Sequence, residues 1–405
     1  MLIVQKYGGT SVGSTERVNV VADRVLRTLA AGHRCAVVAS AMGHSTDELL
    51  RLAHGVTHEP NLRELDALLA TGEQVTTALL AMALRARGVR AMSFAGWQAG
   101  IATEPIHGAA RIADIAPAAV QEWLDDGGVP VIAGFQGVAD GQVTTLGRGG
   151  SDTTAVAMAA ALRADICEIF TDVDGVYTAD PRYVAGARKL SVVSYDEMLE
   201  LANLGSQVLH PRAVETAKRQ GVHLVVRSSF SDDEGTVIRD MGTMEGLRVV
   251  TGLAAEREVA QIALVGMPMG EHRLAAVFSA LAAQQVNVDV IVQSVVRDNE
   301  VDVSFTVQEV DAKRAIRTCE ALAEVVSYRQ LLHETGLSKI SIVGAGMISN
   351  PGVAAQMFSA LEEAGADVKM VSTSEIKVSC VIDSRHLEAA QDSVHRSFEL
   401  DKPDD

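Results

Sequence analysis

The sequence predicts an α/β protein: a mainly parallel sheet sandwiched by helices, followed by two ferredoxin-like βαββαβ modules. Three observations carry this reading. Short β-branched apolar runs alternate with longer amphipathic segments as far as Val226. Glycine and proline punctuate nearly every switch between the two. Beyond that point the chain repeats itself: Ile262-Ala263-Leu264-Val265-Gly266 lays onto Ile340-Ser341-Ile342-Val343-Gly344, and Phe278-Ser279-Ala280-Leu281 onto Phe358-Ser359-Ala360-Leu361.

The elements follow in order. Ile3-Val4 opens a first strand, and Val18, Val21, Val25, Leu26 and Leu29 fall on one face of a helix. Strands are expected at 36–39, 129–133, 166–170 and 224–226, with a helix at 155–163. Such alternation gives parallel strands covered on both faces, and ligands of these sheets bind beyond the strands' carboxyl ends. The polar, turn-rich stretch 228–235 marks a boundary. Each repeat then reads strand, helix, strand (286–292 and 366–371), strand (301–307 and 377–382), helix. The expected organisation is a catalytic domain at 1–238, a linker and first module at 239–330, and a second module with a short acidic tail at 331–405. Residues 247–257 are available to join the second module.

Lys and Arg number 35 against 52 Asp and Glu, a net charge of −17, which argues against a nucleic-acid or anionic-membrane surface. The longest apolar run, 155–162, is far short of a membrane span, and the N-terminus has no secretory signal, so the expected location is cytoplasmic. Cys35, Cys167, Cys319 and Cys380 are scattered without a Cys-x-x-Cys pair and read as core thiols. His54 and His58 stand four apart, but Gly55, Val56 and Thr57 make a poor helix between them, so no metal site is expected.

Three loops can carry chemistry. In Lys6-Tyr7-Gly8-Gly9-Thr10-Ser11-Val12-Gly13-Ser14, glycines before a helix let backbone N–H groups approach a phosphate. Ser14 stands where a P-loop needs Lys, so Lys6 is the candidate cation. The cluster Gly147-Arg148-Gly149-Gly150-Ser151-Asp152 begins like a dinucleotide fingerprint, yet Asp152 replaces the third Gly. Asp152 there reads either as a helix N-cap or as part of a site with Arg148, whose guanidinium suits a carboxylate or phosphate. The third loop, 171–182, has three Asp but no Glu at EF-hand spacing, and suits the edge of a nucleotide site with Tyr177 and Arg182.

Together with Ser40-Ala41-Met42-Gly43, Thr46-Asp47-Glu48-Leu49, Thr71-Gly72-Glu73 and Gly134-Phe135-Gln136-Gly137, these loops resemble the aspartate kinase family in order and spacing. The second half resembles that family's paired ACT domains, most clearly at Gly344-Ala345-Gly346-Met347 and Ser372-Thr373-Ser374-Glu375-Ile376. The resemblance implies ATP-dependent phosphorylation of the L-aspartate β-carboxylate, the entry to lysine, threonine, methionine and isoleucine synthesis. It implies a catalytic role for Lys6, Asp152 and Gly9, with Mg²⁺ accompanying ATP. Aspartate would be held by Ser40, Thr46, Glu73, Phe135, Arg148, Gly149, Gly150 and Ser151. ATP would be held by Lys6, Tyr7, Gly8, Gly9, Thr171, Asp172, Tyr177, Asp180, Arg182 and Gln207.

Two departures from the family stand out. Gln207 occupies a position where many members carry Lys, so either ATP binds more weakly or a nearby cation such as Arg212 or Arg227 supplies the charge. In the first repeat, residues 267–273 replace the usual Asp-x-Pro-Gly turn that the second retains as Asn350-Pro351-Gly352-Val353. Feedback by lysine, threonine or both is expected, at a site combining Asn287, Val288, Asp289 and Gln293 with Ser349, Val353, Thr373, Ser374 and Glu375. Homo-oligomers through the ACT modules are expected, with a shorter regulatory subunit started at Met241 or Met244 as a further partner. A non-catalytic amino-acid sensor, and a kinase acting on glutamate or acetylglutamate, are the competing readings.

Overall fold

The first strand, β1 (Leu2–Tyr7), is buried along its whole length, and its pleat decides what lies on either face of the sheet. Gln5 Nε2 donates to Thr28 Oγ1 of the helix Thr15–Ala30 at 2.9 Å. Lys6 turns the other way and meets Asp152 of the helix Gly150–Ala161. Helices therefore cover both faces. The computed structural model of the chain describes residues 1–205, 208–241, 248–270 and 272–403. Gln207, Met244 and Glu271 lie outside the described residues, as does the side chain of Ser349.

After β1 come β2 (Arg34–Ala39), β3 (Ala91–Phe94), β4 (Ile101–Thr103), β5 (Ile112–Ile115) and β6 (Val129–Ala133). Then follow β7 (Gln136–Ala139), β8 (Gln142–Thr145), β9 (Ile166–Thr171), β10 (Val192–Ser194), β11 (Leu224–Ser228) and β12 (Thr236–Arg239). The main sheet has the order β10-β12-β11-β9-β1-β2-β6-β3 and is parallel except where β12 pairs with β11. A smaller sheet has the order β5-β4-β7-β8. On one face Tyr7, Val37, Val131 and Phe170 pack against Val21, Val25, Leu80 and Leu84 of the helices Thr15–Ala30 and Thr71–Arg85. The run Leu62–Arg85 is long and apolar enough to cross a membrane by length and composition alone. It is half buried, however, and carries the buried carboxyls of Asp66 and Glu73.

Two differences from the sequence reading matter for the site. The helix expected at 155–163 begins at Gly150, with Gly149 as N-cap, because a left-handed glycine (φ 69°) turns the chain directly into it. Asp152 is thus in the first turn and is not the cap. The second difference is that residues 177–188 and 203–206 leave the expected catalytic domain: the compact units are Met1–Val176, Lys189–Ala202 and Gln207–Met244, and Tyr177–Arg188, Asn203–Ser206 and Glu245–Asp405. For 177–188 the reason is burial, since Ala179 and Val184 join a core with Leu253, Ile340, Ile342 and Met357. Leu253 N–H also donates to Thr178 O at 2.7 Å, and Thr178 Oγ1 lies 3.0 Å from His395 Nε2.

The second unit is built on β13 (Gly252–Pro268), β14 (Ile291–Gln293), β15 (Glu300–Gln308), β16 (Gln330–Val343), β17 (Met370–Thr373) and β18 (Lys377–Asp383). They form one antiparallel sheet of order β14-β15-β13-β16-β18-β17. The two longest strands serve both repeats. Residues 259–268 of β13 pair with β15 and 252–256 pair with 339–343 of β16, so the upstream end of β13 completes the second repeat's sheet. Helices Arg273–Ala283 and Glu309–Ala321 cover the first repeat, and Val353–Glu363 and Leu387–Ser397 the second. The strands expected at 286–292 and 366–371 shorten to β14 and β17, as suits edge strands, whose free backbone groups invite mispairing. The remodelled turn of the first repeat ends at His272 in the left-handed region (φ 72°), the conformation Gly352 adopts before the matching helix.

Candidate active site

Four adjacent parallel strands, β9, β1, β2 and β6, end at the same edge of the first unit's sheet, and their following residues are the ones the sequence singles out. After β1, Gly8 donates its N–H to Phe170 O at 3.2 Å. Gly9 starts a short 3₁₀ turn (Gly9–Val12), and a Cβ there would stand 3.0 Å from Ala41 O and 3.1 Å from Gly43 O. The loop after β2 is thereby laid directly on the loop after β1. Ser14 then caps the helix Thr15–Ala30 through Arg17 N–H.

Lys6 is 8% exposed, and its Nζ lies 2.6 Å from Asp152 Oδ1. A lysine this buried requires an anionic partner, and the first turn of the helix Gly150–Ala161 supplies it. That helix start is wedged in place by its glycines. A Cβ on Gly149 would collide with the His210 ring at 2.1 Å, and one on Gly150 would reach Phe135 Cδ2 at 2.9 Å. A Cβ on Gly134 would meet Ser151 Oγ at 2.7 Å. Phe135 itself is left-handed (φ 68°), a costly conformation for a bulky residue, held by its N–H to Thr154 Oγ1 and its carbonyl to Leu146 N–H.

Glu73 lies in the first turn of the helix Thr71–Arg85 and is 3% exposed. Its Oε1 accepts the Ala41 N–H at 3.1 Å, while Oε2 has no hydrogen-bond partner among the described residues. Burial pushes its pKa up to about 8 against the opposing pull of backbone hydrogen bonds. Ser40, half-buried, donates its N–H to Tyr7 O at 3.0 Å, and Thr46 sits in the first turn of the helix Ser45–Val56. Arg148 is exposed between two left-handed glycines, Gly147 and Gly149. Thr171 ends β9, and its hydroxyl donates to Asp172 Oδ1 at 3.1 Å.

Tyr177, Asp180 and Arg182 belong to the second unit. There Arg182 Nη2 pairs with Asp180 Oδ2 at 2.7 Å, and that hydrogen bond holds the Asp180 carboxyl below its usual range. Arg212 and Arg227, which could supply the charge absent at Gln207, each have partners within the first unit. Arg212 donates to Leu146 O and Ala110 O, and Arg227 Nε lies 3.1 Å from Glu168 Oε1. Sequence reading also missed the Ser11–Ser229 hydroxyl contact and a buried network around Asp66.

In the second unit, a cavity of about 460 Å³ is lined by Val353, Thr373, Ser374 and Glu375, together with Met347, Asn350 and Gly352. Asn287, Val288, Asp289 and Gln293 are absent from its wall. The reason lies in their own contacts: Val288 packs on the first repeat's core, Gln293 is exposed on β14, and Asp289 is ion-paired with Lys339. Lys339 is 5% exposed and also pairs with Glu256 at 2.5 Å. Its pKa is raised by Glu256 and Asp289 despite the opposing effect of burial. The four cysteines are free and buried, and burial pushes the Cys319 and Cys380 thiols up to about 11 and about 12.

The amino acid kinase family model matches residues 1–228, and an ACT domain model matches residues 262–322 and 340–398. An aspartokinase of Bacillus sp. (strain MGA3) is 53% identical over 98% of this chain and 97% of its own length. The crystal structure of E. coli aspartokinase III in complex with aspartate and ADP is similar at a TM-score of 0.81 and 27% identity, over 98% of this chain and 99% of that one. The complex of the same enzyme with lysine and aspartate is similar at 0.77 and 26%, with the same coverage.

Proposed function

This chain belongs to the amino acid kinase family, as an aspartokinase with ACT domains, and on that premise we propose that it transfers the γ-phosphoryl group of ATP to the β-carboxylate of L-aspartate. The observation that carries the proposal is the Lys6–Asp152 ion pair at the carboxyl ends of the parallel strands. A carboxylate acceptor is already ionised at pH 7, so the reaction needs no strong general base. It needs positioning and neutralisation of charge on the moving phosphoryl group. Lys6 would meet that charge, Asp152 would hold the ammonium in place, and the Gly8-Gly9 backbone would donate hydrogen bonds.

Aspartate presents an ammonium and an α-carboxylate besides the reacting group. Glu73 Oε2, buried without a partner among the described residues, suits the ammonium, and Arg148 suits the α-carboxylate by a bidentate pair. Ser40, Thr46, Phe135, Gly149, Gly150 and Ser151 would complete the pocket. Thr171 and Asp172 would contact ATP from β9; for Tyr177, Asp180, Arg182 and Gln207 the assignment rests on the sequence motif alone. Among the described residues no group of three His, Cys, Asp or Glu could hold a metal, so Mg²⁺ is proposed to be carried by the triphosphate, where it supplies further charge neutralisation.

The E. coli relative binds lysine. The cavity around Thr373, Ser374 and Glu375 fits a small amino acid, and lysine, threonine or both are proposed as its ligands and as feedback inhibitors. The exposed edge strand β14, with Ile291 and Val292 in the open, suits assembly with a second copy. Met241 and Met244 precede nearly all of the second unit and would start a shorter regulatory subunit. Four buried free thiols suit a cytoplasmic setting.

Coupled ATP turnover with aspartate, glutamate and acetylglutamate tests the central claim. ADP release with aspartate alone is expected; turnover restricted to either alternative overturns the substrate. Native mass spectrometry is expected to give an oligomer, and a monomer alone refutes assembly.

A further inference from the structure

Asp66 is fully buried in the helix Leu62–Leu69. A carboxylate so placed persists only when its lone pairs are satisfied, and its surroundings satisfy them. Oδ2 accepts from His107 Nδ1 at 2.7 Å, both oxygens accept from the Gly108 N–H at 3.1 Å, and Oδ1 accepts from Thr145 Oγ1 at 2.5 Å. Because a carboxylate only accepts, His107 carries a proton on Nδ1.

These partners belong to two stretches of backbone that flank a single loop. Thr145 ends β8 immediately before Leu146 and the Gly147–Gly150 turn, and its carbonyl accepts the Ala110 N–H at 2.9 Å. Gly108 lies under Gly147, whose Cβ, if it had one, would stand 3.2 Å from Gly108 O. From the other side Arg212 joins the same stretches, donating to Leu146 O at 2.7 Å and to Ala110 O at 3.1 Å. The tip of the loop has no comparable anchor. Gly147 and Gly149 are left-handed, Arg148 is exposed, and no hydrogen bond or ion pair to a described residue holds its guanidinium.

We propose that Asp66 is a positioning residue for aspartate recognition: by locking Gly108 to Thr145 it fixes the stem from which Arg148 projects. The proposal rests on the reading of Arg148 as the clamp for the substrate α-carboxylate. A bidentate clamp tolerates little misplacement, and a loop with glycines on both sides of the clamp takes its direction from its stem. Asp66→Asn keeps the volume but turns one acceptor into a donor, which then faces the hydroxyl, imidazole or amide donors already present.

The test is a double-mutant cycle read by the aspartate KM, the ATP KM and the melting temperature. Asp66→Asn and, separately, Thr145→Val are expected to raise the aspartate KM about tenfold while the ATP KM stays within about twofold. In an Arg148→Lys background the same changes are expected to add little. Equal fold-effects in both backgrounds, or parallel rises in both KM values, overturn the proposal. An Arg148→Lys variant with an unchanged aspartate KM refutes the clamp reading itself and this proposal with it. Should Asp66→Asn fail to fold, Thr145→Val, which deletes one hydroxyl, decides by the same cycle.

Discussion

Lys6 and Asp152 are separated by most of the first unit's sequence, yet Nζ and Oδ1 come within 2.6 Å where β1 ends. Lys6→Ala and Asp152→Ala are each expected to lower kcat by ~10²–10³, about 3–4 kcal/mol of transition-state stabilisation. Near-normal kcat with a wild-type melting curve in either variant would contradict the phosphoryl site.

Glu73 gives the enzyme a pH signature. The unfolded chain releases this proton near the ordinary carboxyl value of 4.5, the folded enzyme near 8, so the folded state holds more protons between those values. Stability from this group is therefore lost as pH rises through that window, and an ammonium ligand, which needs the ionised form, binds better as pH climbs toward 8. The aspartate KM is expected to fall from pH 6 to pH 8 in wild type and to lose that slope in Glu73→Gln. A KM profile unchanged by the substitution would assign the ammonium elsewhere.

Substrate recognition should separate from nucleotide recognition. Arg148→Lys and Glu73→Gln are expected to raise the aspartate KM about tenfold or more with little change in the ATP KM, because an ammonium cannot reproduce a bidentate guanidinium and a neutral amide cannot pair with an ammonium. Movement of the ATP KM alone would transfer both residues to the nucleotide.

Inhibition by lysine and threonine, singly and together, should respond to Glu375→Gln with about a tenfold weaker effect, the loss of about 1.4 kcal/mol of preference for the inhibited arrangement. Asp289→Ala should act differently, because it leaves Lys339 with Glu256 as its remaining ion-pair partner and so lowers the melting temperature of the second unit. Full inhibition retained in Glu375→Gln would remove this cavity from the regulatory mechanism.

What the sequence made legible was local. Glycines next to strand ends, the Lys6 cation and the two repeats are all short-range patterns, and each has a direct counterpart in the strands and loops. Non-local relations were less visible. Residues 177–188 read as part of the catalytic domain because they follow β9, and only the burial of Ala179 and Val184 against Ile340 and Ile342 places them elsewhere. Asp289 read as an effector contact because nothing near it announces Lys339, fifty residues downstream. Asp66 had a usable signal: at helical spacing it shares a face with Leu62, Leu65 and Leu69, an apolar face on which an acid needs a partner.

The sharing of β13 and β16 between the repeats sets an order of events as the chain leaves the ribosome. Residues 252–256 are made before the whole first repeat, but the strand they pair with, 339–343, follows it. Residues 252–256 must wait for nearly all of the unit to be synthesised, and closing so long a loop is slow. The second repeat needs residues 252–256 and the first needs 330–337 of β16, so a chain cut between them at residue 330 should release two incomplete sheets, with no folded half to recover.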